Sequence, residues 1–169
     1  MLSKAKRLCK QALFGRLDRL GNPYYLIPLA IADKLKSDEE KIVALLFKVM
    51  ENPYYDLLYL KKYGFSNKIL LTLDTLKAHK TQSKSEYLAC VKTNPIAKSV
   101  LIAYMEHTID SDYEQLTMTR LRMNRLAKME SDINYLIRSD EEIAKARQEI
   151  IDMIKPKNKP KSKHYKNNI

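Results

Sequence analysis

The 169-residue chain contains three glycines, three histidines and two cysteines. The glycines, Gly15, Gly21 and Gly64, all fall in the first 64 residues. Cys9 and Cys90 lie far apart, with no CxxC pair and no Cys/His cluster. That arrangement favours neither a disulfide nor a metal pair, and each cysteine is expected to be a small buried apolar residue. No apolar run approaches the roughly 18–20 residues that a membrane-spanning helix needs. The N-terminal Met1–Lys10 segment has four Lys or Arg but no apolar stretch behind them. No secretory signal and no membrane partner are therefore expected, and the expected location is cytoplasmic.

What is present suits one soluble domain: 45% hydrophobic and 30% charged residues, in a chain long enough to bury a real core. The net charge is +11, and six lysines between Lys155 and Ile169 carry more than half of it. The tail 155–169, K-P-K-N-K-P-K-S-K-H-Y-K-N-N-I, has almost nothing to bury and is expected to be disordered. Residues 1–154 form the expected folded domain.

No window alternates in the manner of a strand, whereas apolar residues recur at spacings of three and four throughout, so the fold class is all-α. Helices are expected over Leu2 to about Arg16, Tyr24–Leu35, Asp38 to Asn52, Tyr55–Tyr63 and Ser66 to about His79. Further ones follow over Ser85–Thr93, Pro95 to about Asp110, Tyr113–Met129, Asp132–Ile137 and Ser139–Ile154. Ser37, Ser66, Asn94 and Ser139 read as N-caps, Gly64 as a left-handed C-cap, and Pro53 as a stop. The most apolar helical window is Ile42–Asn52, I-V-A-L-L-F-K-V-M-E-N.

Five segments occur in the order found in one enzyme family. Gly21-Asn22-Pro23-Tyr24, with Pro28-Leu29 and Ala32, resembles G-x-P-Y-x-x-H-P-L-x-V-A. The Ile42–Asn52 window keeps Val43, Ala44, Leu45, Leu46, Val49 and Glu51 of V-A-L-L-H-D-V-x-E-D. Leu60–Ile69 resembles D-L-x-x-x-G-F-S-x-x-I. Tyr87 with Asn94-Pro95-x-Ala97 is similar to Y-x-x-x-I-x-x-N-P-x-A, and Val100–Asp110 to V-K-L-A-D-L-x-x-N-x-D. Together, over about residues 12–130, they resemble the RelA/SpoT-type HD-domain hydrolases of (p)ppGpp. The resemblance implies a compact multi-helix bundle of the HD type, a manganese cofactor and a guanosine pyrophosphate substrate.

It also marks what has been replaced. The family's metal ligands fall at Ile27, Phe47, Lys48 and Tyr104, and an accompanying Asn falls at Thr108. Ile and Phe offer no lone pair, a protonated lysine repels a metal, and a neutral phenol is a weak donor. Of the acidic pair that would assist the nucleophilic water, Glu51 remains and Asn52 has replaced its neighbour. No metal and no cofactor are expected. The expected function is that of a catalytically inactive relative that binds a guanine nucleotide or a protein partner, with Lys48, Tyr104 and Tyr24 as candidate ligand-binding residues. Lys48 could meet an anion directly, or pair with Glu51 or Glu106. Phe47, Ile27 and Met50 are expected to fill the vacated space.

Two further readings compete. A residual phosphohydrolase could use Glu51, Lys48 and Tyr104 without a metal. A nucleic-acid-associated protein could use the tail with Arg120, Arg122, Arg125 and Lys128, and Tyr24, Tyr25, Tyr54, Tyr55, Tyr59 and Tyr63 could stack on bases, although the commoner expectation is half-buried helix residues with the hydroxyl in water. The histidines, His79, His107 and His164, form no metal set, and His107 with Asp110 reads as a surface pair.

Overall fold

The computed structural model describes residues 1–113, 119–139, 141–142, 144–145, 148–149 and 151. Among them are eight helices and no strand: α1 (Leu2–Ala12), α2 (Leu26–Lys34), α3 (Asp38–Val49), α4 (Leu57–Lys62), α5 (Asn67–Leu76), α6 (Lys84–Thr93), α7 (Pro95–Tyr113) and α8 (Arg120–Ile137). The chain divides into a main unit, Met1–Leu136, and a C-terminal one beginning at Ile137. The expected tail, 155–169, and the expected boundary before it lie outside the described residues. The fold is the expected all-α bundle.

Local chemistry sets the helix starts. Ser37 opens α3 with a reciprocal cap: the Glu40 amide donates to its hydroxyl, and the Glu40 carboxylate accepts from the Ser37 amide at 2.8 Å. Ser83 does the same for α6 with Glu86. Asp56 and Ser66 cap α4 and α5. Pro28 sits in the first turn of α2, where its missing N–H breaks no helical bond. Gly64 ends the turn after α4 at φ 97°, a conformation that disfavours any side chain.

α3 is the centre. Its consecutive residues Ile42, Val43, Ala44, Leu45 and Leu46 are all buried, as is Val49. Five successive buried positions sweep the whole helix circumference, so α3 has no solvent face over this stretch. It packs against α1, α2, α5 and α7. α7 is buried at Val100, Leu101, Ala103 and Tyr104, as its apolar middle suggests. A partly buried polar joint ties it to α5: the Asn94 side chain donates to Thr72 Oγ1 at 3.2 Å and accepts from the Ala97 amide at 3.1 Å.

Three expectations are corrected. The helices expected over Tyr113–Met129 and Asp132–Ile137 are one continuous helix from Arg120, capped by Thr119, while 114–118 lie outside the described residues. Glu130-Ser131-Asp132 contains no Pro or Gly to break it, and Asp132 pairs instead with Lys84 at 2.7 Å. Cys90 is exposed whereas Cys9 is buried. The inward face of α6 is taken by Leu88 and Val91, which leaves Cys90 on the outer side. Tyr54 is exposed rather than half-buried, because it stands in the turn after α3. The last expected helix begins at Ser139 with a Glu142 capping pair, and residues 140, 143, 146–147, 150 and 152–154 of it lie outside the described residues.

Leu46→Ala, at 0% exposure, is expected to cost about 2–5 kcal/mol. Leu71→Ala, at 67% exposure on α5, is expected to shift stability by about 0.5 kcal/mol or less. Urea unfolding midpoints of the two variants check the central position of α3.

Candidate functional site

The loop between α1 and α2 is a small closed turn. The Tyr24 amide donates to Arg16 O at 2.9 Å and the Asp18 amide to Asn22 O at 2.8 Å, with Leu17 bridged antiparallel to Pro23. This closure brings Arg16 and Tyr24 side by side, with the Arg16 guanidinium 4.4 Å from the Tyr24 ring centre. Both reach the end of α3, where Glu51 follows the last turn. Arg16 Nη2 lies 3.1 Å from Glu51 Oε2, and the Tyr24 hydroxyl 3.5 Å from the same oxygen. Lys48 Nζ lies 2.6 Å from Glu51 Oε1. One carboxylate is thus held by two cations and a phenol. Burial alone would raise the Glu51 carboxyl, but the hydrogen bonds and charges of Lys48 and Arg16 outweigh it and hold it below the usual carboxylate range.

Directly beneath, the Phe47 and Tyr104 rings meet edge to face, with centres 5.3 Å apart and planes at 75°. The Tyr104 hydroxyl donates to Ala44 O at 2.8 Å. Burial pushes its phenol well above the ordinary value, with the Cys9, Tyr24 and Glu51 groups adding to the shift. Tyr104 is therefore a neutral donor spent on a backbone carbonyl. The Lys48 ammonium stands 5.2 Å from the Tyr104 ring centre and 5.4 Å from that of Phe47, so the two rings form the floor on which the ion pair rests. Ile27, Phe47 and Met50 are all half-buried and packed against the core.

The four positions at which the family resemblance places metal ligands are brought near one another in part: Phe47, Lys48 and Tyr104 are in contact, and Ile27 packs on the same core. What they offer is a hydrocarbon side chain, two ring faces and a cation. This set does not fit a divalent ion, which needs anionic oxygen or neutral imidazole. Thr108, at the accompanying position, donates to its own helix at Tyr104 O, 2.8 Å away. Asn52 has a structural task. Its side chain donates to Ala12 O, a terminal carbonyl of α1, at 3.2 Å, and accepts from the Tyr54 amide at 3.2 Å.

A cavity of about 450 Å³ opens on the far side of Glu51, lined by Met50, Tyr55, Asp56, Leu58 and Lys77 among others. Neither Phe47 nor Lys48 lines it. Among the described residues no group of three His, Cys, Asp or Glu comes together to hold a metal ion. Asp110 pairs with Lys34 at 3.4 Å. His79 is exposed, and His164 lies outside the described residues.

The basic stretch of α8 is only partly an outward face. Arg120 and Lys128 are exposed, but Arg125 forms an ion pair with Asp112, which is 3% exposed. The tyrosines pack on one another more than they offer free faces: Tyr55, Tyr59, Tyr63 and Phe65 make successive ring contacts of 5.1, 5.7 and 6.0 Å, with the Lys4 ammonium over Tyr63. Arg16 is the participant that sequence reasoning passed over. Its signal was turn chemistry: Gly15 and Gly21 at positive φ bracket a loop that folds back onto its neighbours.

The chain matches no protein-family model, and no curated protein shows significant similarity to it.

Because the folded-state pKa of Glu51 is depressed, its stabilisation is complete above the unfolded value of 4.5 and is lost as the pH falls through the folded one. Glu51→Gln is expected to be less stable than wild type at pH 7 by no more than about 1 kcal/mol, since the pair is partly exposed. The difference should close as the pH falls below the ordinary carboxylate range, measured by urea melts at both pH values. Tyr104→Phe is expected to lose about 0.5–1.5 kcal/mol at every pH between the two, because its hydroxyl stays protonated throughout.

Proposed function

We propose that this chain is a non-catalytic binding protein on a helical scaffold of the HD type, related to (p)ppGpp pyrophosphohydrolases and working through a guanine nucleotide or a protein partner. One observation carries the reading. Where the resemblance asks for imidazole and carboxylate, Phe47 and Tyr104 are packed edge to face, the Tyr104 hydroxyl is bonded to Ala44 O, and the Lys48 charge is matched by Glu51. The scaffold's stability now draws on the groups that chemistry would need.

A metal-free hydrolase using Glu51, Lys48 and Tyr104 has less behind it. A general base must be free to accept a proton, whereas the Glu51 carboxylate is held by two cations and stays ionised. A general acid must release one, whereas the Tyr104 phenol is buried and pushed upward. The nucleic-acid reading keeps Arg120, Lys128 and the tail but loses Arg125 to Asp112. A nucleotide phosphate entering at Lys48 would have to displace Glu51, so binding there should strengthen when that carboxylate is neutralised.

Purified protein incubated with ppGpp and manganese is expected to release no pyrophosphate; release above a no-protein control would overturn the proposal. Calorimetric titration with ppGpp and GDP then separates the two kinds of partner. A nucleotide at Lys48 predicts tighter binding to Glu51→Gln than to wild type, and no heat with either protein leaves the protein partner.

A further inference from the structure

Three of the exposed large apolar side chains fall in one short segment. Phe14 is 85% exposed, Leu17 63% and Leu20 72%. Single surface leucines need no explanation, but three bulky ones within seven residues do. They are not the loose contents of a floppy loop. The Gly21 amide donates to Asp18 O at 3.2 Å, which makes Arg19 and Leu20 the central pair of a tight turn. The Asp18 carboxylate accepts from the Leu20 and Asn22 amides, each at 2.8 Å, and from the Asn22 side chain at 3.4 Å. The Arg16–Tyr24 and Asp18–Asn22 backbone bonds pin the arms, and Arg16 is anchored to Glu51. The result is a braced hairpin with Leu20 at its apex, Leu17 on one arm and Phe14 at its base.

The sequence around this hairpin is predominantly basic. Residues 1–32 contain six Lys or Arg and a single acid, Asp18, whose carboxylate is turned inward to the hairpin's own amides. On α1 the inward face is Ala5, Leu8, Cys9 and Ala12. Arg7 and Lys10 are exposed, three apart on the outward side of α1, and Phe14 is exposed in the turn just past its end. Arg19 is exposed beside Leu20 in the turn. A convex apolar tip bordered by cations fits a soft surface that is apolar within and anionic at its boundary.

We propose that the α1–α2 hairpin adsorbs to anionic bilayers, with Phe14, Leu17 and Leu20 entering the interface and Arg7, Lys10 and Arg19 meeting the lipid phosphates. No helix among the described residues is long and apolar enough to cross a membrane, and this contact needs none: it is peripheral and reversible. It does not rest on the proposed nucleotide or protein partner, and it departs from the sequence expectation of no membrane partner.

The chain has no tryptophan, so Leu20→Trp places a single indole at the apex. With vesicles of phosphatidylcholine containing phosphatidylglycerol, its emission should shift to the blue and be quenched by lipids brominated along the acyl chain; neutral phosphatidylcholine vesicles should give neither effect. In sedimentation with the anionic vesicles, Phe14→Ser/Leu17→Ser/Leu20→Ser, which leaves the net charge unchanged, should weaken binding by roughly tenfold or more. Arg19→Glu should weaken it as well, and added salt should weaken both variants and wild type. Circular dichroism checks that the triple variant is folded, which its exposed positions favour. Equal binding of the triple variant and wild type would mean that the lysine-rich tail alone holds the protein, and would overturn the proposal. So would no binding to anionic vesicles, or a blue shift without lipid that tracks dimerisation by light scattering, which would assign the hairpin to a second copy of the chain.

Discussion

A helix with no solvent face has to find partners in every direction, and α3 is such a helix. Ile42 to Leu46 present side chains around the full circumference, so α1, α2, α5 and α7 are all required to cover it. Most of the main unit's core is the consequence of that demand. It also dictates what happens where α3 emerges. The chain must pass from a buried apolar stretch to a surface turn within a few residues, and Lys48 and Glu51 lie at that transition. Unpaired, a lysine resting on two aromatic rings and a carboxylate beside them would be poorly solvated. Paired with each other and with Arg16, they close the end of the helix at little electrostatic expense.

The same geometry ties the chemistry of the site to its architecture. Phe47 and Tyr104 belong to helices that must touch for the core to be complete, and their rings make that contact. Tyr104 satisfies its hydroxyl on the carbonyl of Ala44, in the middle of α3. Asn52 bonds the end of α1. Phe47, Lys48, Glu51, Asn52 and Tyr104 each have a partner within the fold. Polar groups satisfied by the protein's own backbone and side chains favour rigidity.

Much of this was legible before any coordinates. Ser37 and Ser66 cap helices as their spacing indicates, because a side-chain oxygen two or three residues ahead of orphan amides is a local matter, whereas the caps at Asp56 and Ser83 displace the starts expected at Tyr55 and Ser85. The apolar sweep from Ile42 to Leu46 announced a central helix. Other features were not legible. Glu130-Ser131-Asp132 looked like a break but carries no residue that forces one, and Lys84, almost fifty residues earlier, supplies Asp132 with its partner. Cys90 looked like a core residue by type, yet its face of α6 points outward because Leu88 and Val91 claim the other. Arg125 looked like part of a basic surface until Asp112 was found beside it.

By itself the sequence determined the helical periodicity, several of the caps and the turn glycines. All of these are properties of residue type and near-neighbour spacing. Only the tertiary structure decided that Arg16 and Tyr24 reach Glu51, that Lys48 is matched rather than free, that Tyr104 bonds Ala44, and that Phe14, Leu17 and Leu20 are held out in solvent. The reason is physical. These pairings join segments separated by tens of residues, and which of several chemically acceptable partners a side chain meets depends on how helices pack around α3, a global compromise that no local pattern records.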